Sequence, residues 1–221
     1  MVGEGAPPGC DQPRRGGNNA SRCKDHKCVV DPLRLAFGFL NVRSLVDNEG
    51  QRNVSWRSGE WDPPRVDNKS ALLCQELRKN KLEVVGVAET LWFDTEQRTL
   101  DEYYILTSGF PPQSDTGSGP RRAGVALFLG LQGKAAWEAV GSKWKAISPR
   151  VLSARLCFTS ESEPLVEMEV ICVYTPTFRA TRVDKEEFRC QLQDAVRAVP
   201  PGVKVLVLVG TRHRNHRRKR L

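Results

Sequence analysis

No apolar run in this 221-residue chain comes near the ~20 residues that a membrane-crossing helix needs, so no helical span is expected. The opening stretch, residues 1–17, is polar and rich in Gly and Pro. It lacks the apolar segment of a secretory signal, and an intracellular protein is expected. The seven cysteines are odd in number and have no dense spacing, which argues against a disulfide framework. Cys157 and Cys172 fall inside apolar, strand-like runs, and Cys74 follows Leu72 and Leu73 in a helical stretch. Such positions suit small buried thiols in a reducing compartment. Cys23 to Cys28, with Cys10 upstream, is not a matched pair of Cys-x-x-Cys knuckles, and its Gly- and Asn-rich surroundings do not suit a zinc site.

A basic domain is also lacking. The net charge is +8, but Arg212, Arg214, Arg217, Arg218, Lys219 and Arg220 crowd the end of the chain. Removing those six from +8 leaves only +2 for everything before them. The basicity belongs to a tail and not to a folded surface.

What the sequence does contain is enough apolar material for one core, 39% of residues. Residues 1–32 read as a flexible leader, 33–210 as a domain and 211–221 as a basic tail. A strand is expected from Leu33 to Asn41, followed by a polar loop over 43–66 broken by Pro63-Pro64. Asp67 is placed to cap a helix running to about Asn80, with Leu73 and Leu77 on its buried side. Further strands are expected at Glu83–Ala88, Tyr103–Thr107, Ala123–Leu129, Val151–Phe158 and Val166–Tyr174. Asp184 and Glu187 have capping-box spacing before a helix whose apolar side is Phe188, Leu192 and Val196. Val203–Val209 then reads as a strand so apolar on both faces that it should lie inside a sheet, covered on both sides. Strands interleaved with helices imply an α/β sandwich.

Three short segments carry the candidate chemistry: Asn41-Val42-Arg43-Ser44-Leu45, Ala88-Glu89-Thr90 and Val173-Tyr174-Thr175-Pro176-Thr177. Each follows an expected strand at its carboxyl end, where open α/β sheets build their sites. Taken singly, a strand-end Asn caps, a strand-end Glu is solvated, and a Tyr before Thr-Pro packs at a rim. In this order, and together with Arg122-Ala123-Gly124-Val125-Ala126, they resemble the endonuclease/exonuclease/phosphatase family. The likeness is nearest to LINE-type retrotransposon endonuclease domains and the craniofacial development protein 2-like proteins, and runs from about Leu33 to Gly210.

The resemblance implies a DNase I-like fold, a two-sheet, four-layer α/β sandwich missing its last third. It implies that Glu89 is the carboxylate ligand of Mg²⁺, with Mn²⁺ as the alternative, and that Asn41 stands beside the metal. By the same resemblance Tyr174 approaches the scissile phosphate, Thr177 contacts phosphate, and DNA is the substrate class. A hard cation with oxygen ligands is consistent with that set. The likeness breaks after Gly210. Relatives continue Gly-Asp-Phe-Asn, in which Asp activates water and Asn holds phosphate, whereas this chain continues Thr211-Arg212-His213. The late Asp and His of the family have no counterpart, as a shifted reading frame, a mis-called exon or a degenerate copy would produce. A weak or inactive endonuclease is therefore expected, with a sheet face or edge at Val203–Val209 left open where the missing third would cover it. The alternative is a non-catalytic protein that binds nucleic acid, or is directed to the nucleus, through its basic tail. A third reading keeps full activity, with His213 or His216 supplying the missing base.

Overall fold

A computed structural model describes residues 35–42, 45, 68–93, 95–110, 123–158 and 165–210. Two sheets face each other. The first holds β1 (Phe37–Asn41), β2 (Val84–Ala88), β3 (Thr95–Leu100), β4 (Tyr103–Ser108) and β5 (Val125–Leu129), in the order β1-β2-β5-β4-β3. The second holds β6 (Trp144–Ser148), β7 (Val151–Phe158), β8 (Val166–Tyr174) and β9 (Lys204–Gly210) in chain order. Among the described strands β1/β2 and β8/β9 are the parallel pairs. A parallel pair needs a crossover, and each has a helix between its strands: α1 (Asn68–Lys79) and α3 (Arg182–Arg197). A short helix, α2 (Leu131–Glu138), follows β5.

The period-2 alternation of the strands sorts side chains into three apolar clusters. Val125, Leu127 and Leu129 of β5 point inward and meet Leu152, Leu156, Val170 and Cys172 between the sheets. Their neighbours Ala126 and Phe128 point outward with Val85 and Val87, where Leu73, Cys74 and Leu77 of α1 cover them. On the far side, Phe188, Leu192 and Ala195 of α3 cover Val151, Ile171 and Val173. Helix, sheet, sheet and helix therefore make the four layers expected from the sequence. The sheets approach closely at Gly86, where an added Cβ would lie 2.9 Å from the Phe39 ring and 3.0 Å from Cys172 Sγ.

Helix α1 and strands β2, β4, β5, β7 and β8 lie where the sequence places them, within a residue or two. The proposed Asp67 cap, the residue 1–32 leader, the Cys23–Cys28 segment and the basic tail lie outside the described residues. The start of α3 is a correction. Its N-cap is Thr181, whose hydroxyl accepts from Asp184 N while the Asp184 carboxylate accepts from Thr181 N. Glu187 takes no part and instead accepts from Gln191 Nε2. The buried side of α3 also turns by one position: Ala195 packs inward and Val196 is exposed. A helix pairs i with i+7 as readily as with i+8, so spacing alone did not separate them.

Strand β9 has the interior composition read from the sequence but stands with the open face and edge also expected there. It is an edge among the described residues, pairing β8 alone. Leu208 is buried inward, but Val205, Val207 and Val209 on the outer face are 42%, 37% and 49% exposed. The apolar partners of α3 come from β6, β7 and β8, so the helix layer does not extend over them.

Candidate functional site

Asn41 ends β1, Glu89 follows β2, and Tyr174 ends β8. Parallel pairing of β1 with β2 brings their carboxyl ends level, Asn41 standing opposite Ala88. Tyr174 reaches across from the other sheet, its ring inside the inter-sheet core. All three side chains meet at one oxygen. Glu89 Oε1 accepts from Asn41 Nδ2 at 2.9 Å and from the Tyr174 hydroxyl at 2.7 Å. Glu89 is 7% exposed and Tyr174 1%, so this carboxylate is held largely out of water by charge-assisted bonds.

The backbone under Glu89 is unusual. Glu89 and Leu91 have φ of +58° and +59°, the left-handed region that disfavours side chains with a Cβ. Thr90 between them is buried, and its N–H donates to Gly124 O. Gly124 itself has φ of +121°, and a Cβ there would lie 2.5 Å from Thr90 Oγ1, so only glycine fits. The turn is further tied by Val42 N to Ala88 O and Leu45 N to Thr90 O. Strained backbone held by so many bonds, under a buried carboxylate, is the pattern of a site and not of a simple strand end.

Arg150 is a site residue the sequence did not announce. Its guanidinium lies 5.1 Å from the Tyr174 ring centroid, and its carbonyl accepts from Tyr174 N at 2.9 Å. The only local signal was Pro149-Arg150 ahead of β7, which reads as an ordinary turn. Gly210 lies at the same end: it stands opposite Tyr174, and its carbonyl accepts from the Thr175 N–H and hydroxyl. Thr177 is not drawn into the Glu89 cluster. It is half-buried in the turn before α3, where its carbonyl accepts from Ala180 N. Arg212, Arg214, Arg217, Arg218, Lys219 and Arg220 lie outside the described residues.

Among the described residues no group of three or more His, Cys, Asp or Glu side chains gathers to hold a metal. The oxygen-bearing side chains that meet here are the Glu89 carboxylate and the Asn41 amide, the residue types that could hold a hard cation. Both hydrogen bonds fall on Oε1.

No protein-family model matches the chain, and no curated protein does. Among solved structures it is similar to the catalytic domain of Xenopus laevis APE2, with 18% sequence identity and a TM-score of 0.43. That likeness covers 64% of this chain and 54% of the other.

Proposed function

We propose that this chain is a metal-dependent phosphodiesterase domain of the endonuclease/exonuclease/phosphatase type, acting on DNA by descent from a retrotransposon endonuclease, and weak or inactive as it stands. The observation that carries the reading is the convergence of Asn41, Glu89 and Tyr174 on one buried carboxylate oxygen from three strand ends. Residues that are distant in sequence and individually bland meet where strained backbone holds them. Packing alone does not require such a meeting.

Glu89, with Asn41 beside it, would hold Mg²⁺ or Mn²⁺. When bound, the ion supplies charge neutralisation and polarisation at a phosphate oxygen. The chain's own residues do the rest. The Asn41 amide orients the carboxylate, and the Tyr174 hydroxyl, now donating to Glu89, can donate instead to a phosphate oxygen that gains charge. Arg150, stacked on the Tyr174 ring, adds fixed positive charge to that end of the sheets. Among the described residues no general base accompanies them. Gly210 is followed by Thr211, Arg212 and His213, where the family pattern has Asp and Asn. A positioned base contributes about 10²–10⁴-fold in rate, and its loss accounts for the low activity proposed.

The test is nicking of supercoiled plasmid with Mg²⁺, comparing the chain, its Glu89→Ala variant and a chimera carrying a complete relative's last third. The expected result is no nicking by the chain, nicking by the chimera, and none by the chimera with Glu89→Ala. Robust nicking by the unmodified chain that Glu89→Ala abolishes would mean that His213 or His216 supplies the base. An inactive chimera would remove the phosphodiesterase reading.

A further inference from the structure

Just beyond Tyr174, at the same end of the sheets, the chain turns sharply. Ala180 N donates to Thr177 O at 3.0 Å, which closes a turn with Phe178 and Arg179 at its tip. The tip is tied on both sides. Lys185 Nζ donates to Phe178 O at 2.8 Å, and the Thr181–Asp184 capping box fixes the chain as it enters α3. Pro176 restricts the backbone ahead of the turn. Phe178 is nevertheless 94% exposed, with the Lys185 ammonium 5.7 Å from its ring centroid. A single exposed Phe is ordinary on a protein surface. This one is held outward by a bonded turn that follows the tyrosine of the site.

Charge around the tip is sorted. From Phe178 to Lys185 stand three cations, Arg179, Arg182 and Lys185, and one carboxylate, Asp184. Asp184 is committed to the Thr181 N–H, Glu186 to Arg189 at 2.6 Å and Glu187 to Gln191 Nε2 at 3.0 Å. Among the described residues none of the three cations forms an ion pair. Arg182 and Lys185 are three apart and share one face of the first turn of α3. Arg150, beside the Tyr174 ring, carries the positive charge back toward Glu89. Free cations with an exposed ring at their head complement a strand of phosphates that bears bases. A lipid surface fits less well. The turn offers it Phe178 and Val183, while the exposed Asp184, Glu186 and Glu187 would repel anionic headgroups.

We propose that this turn is a further contact for the DNA strand: Phe178 stacks on an unpaired base, and Arg179, Arg182 and Lys185 hold the phosphates beside it. The proposal rests on the phosphodiesterase reading of the Tyr174 end and names the form of DNA that end prefers. Every base has a π-face that an aromatic side chain can cover whatever the sequence, provided the base has left its own stack. An intact duplex offers the turn its phosphates alone. The contact therefore selects DNA with unpaired bases over closed duplex, and selects no sequence. Because the turn is already bonded, binding orders little of it, and the contact keeps most of its free energy.

The experiment is fluorescence anisotropy on the full chain in EDTA, so that no strand is cut, with oligothymidylate and an intact duplex of the same length. Phe178→Ala should weaken oligothymidylate binding about five- to hundredfold, the worth of one base–aromatic stack, and change duplex binding less than about twofold. Phe178→Trp should bind oligothymidylate at least as tightly as the parent. Arg182→Gln should weaken both DNAs and lower the slope of log affinity against log salt by about 0.7 on the single strand. The replaced side chains are exposed, so each variant should keep the parent's far-UV circular dichroism. Attraction by the basic residues after Gly210 acts on parent and variants alike and cancels in each comparison. The proposal is overturned if the parent fails to bind oligothymidylate up to about 100 µM, the weak end of non-specific affinity. It is equally overturned if Phe178→Ala has no effect or weakens both DNAs alike. Loss of binding to phosphatidylserine vesicles in Phe178→Ala, with DNA binding intact, would overturn it in favour of a membrane surface. Because EDTA removes hydrolysis, failure here strikes the contact, whereas failure of the plasmid assay strikes the phosphodiesterase reading.

Discussion

Replacing Tyr174 with Phe isolates the bond on which the site turns. The ring is buried between the sheets and stays so in the variant, leaving the apolar term unchanged. What disappears is a hydroxyl 2.7 Å from Glu89 Oε1. A hydrogen bond to a charged group is worth about 1.5–3 kcal/mol net. Glu89 keeps the Asn41 donor at 2.9 Å, which places the expected loss toward the lower half, about 2 kcal/mol. For a domain of this size that corresponds to roughly 4–8 °C in Tm. Urea unfolding followed by tryptophan fluorescence reads it directly, with Trp92 and Trp137 buried reporters in different layers. The slope against urea should not change, since the buried area does not. The decisive measurement is a double-mutant cycle. In a Glu89→Ala background Tyr174→Phe should cost at least about 1 kcal/mol less than in the parent, because the acceptor is gone. Equal costs in the two backgrounds would refute the pairing, and with it the assignment of the three strand ends to one site.

Gly86→Ala puts a methyl against Phe39 and Cys172 between the sheets and should cost about 1–3 kcal/mol by overpacking, measured by the same unfolding assay. Stability should fall in alkali, because burial pushes the Cys172 thiol up to about 12 from its ordinary 9.0 and the Tyr103 phenol up to about 12 from 10.0. The unfolded thiol releases its proton from pH 9 while the folded one holds it, so stability is full below pH 9 and declines toward pH 12, by at most about 1.4 kcal/mol per pH unit for each group. Cys172→Ala should flatten the decline between about pH 9 and 10.5 in thermal unfolding. Thr181→Ala removes the N-cap of α3 and should cost about 1 kcal/mol, with helix content otherwise retained. Deleting residues 211–221 removes six cations and should abolish retention on immobilised DNA at low salt, since the remaining chain is close to neutral.

Much of this molecule is legible in its residues, and the illegible parts share a cause. Strands β2, β5, β7 and β8 are rich in Val, Leu and Ile and buried along nearly their whole length, so pattern and burial coincide. Strand β3, Thr95-Glu96-Gln97-Arg98-Thr99-Leu100, is polar and mostly exposed, and only its pairing with β4 makes it a strand. The sequence offers no local record of such a partner. Helix α2 contains Gly133 and is eight residues long, too short for periodicity to show. At the site, Asn41, Glu89 and Tyr174 stood out because strand ends recur in the motif. Arg150 did not, because its role depends on a ring from another strand lying beside it. Val205, Val207 and Val209 have the composition of an interior strand, but among the described residues β9 has one neighbour, as the break in the family pattern after Gly210 led one to expect.

The left-handed backbone at Glu89 and Leu91 bears on how this chain would drift under selection. An L-residue in that region costs roughly 1–2 kcal/mol that glycine does not incur. Leu91 is half-buried and carries no polar role, so Leu91→Gly or Leu91→Asn sets that relief against lost apolar burial alone. At position 89 the same relief is on offer, but accepting it deletes the carboxylate to which Asn41 and Tyr174 donate. Its loss leaves two donors without their acceptor, a cost of about 1–3 kcal/mol for each buried one, which offsets the backbone relief, so a library screened only for folding should not favour glycine at 89. The substitution frequencies at 89 and 91 in a deep mutational scan therefore weigh the backbone relief against what each side chain contributes to the fold.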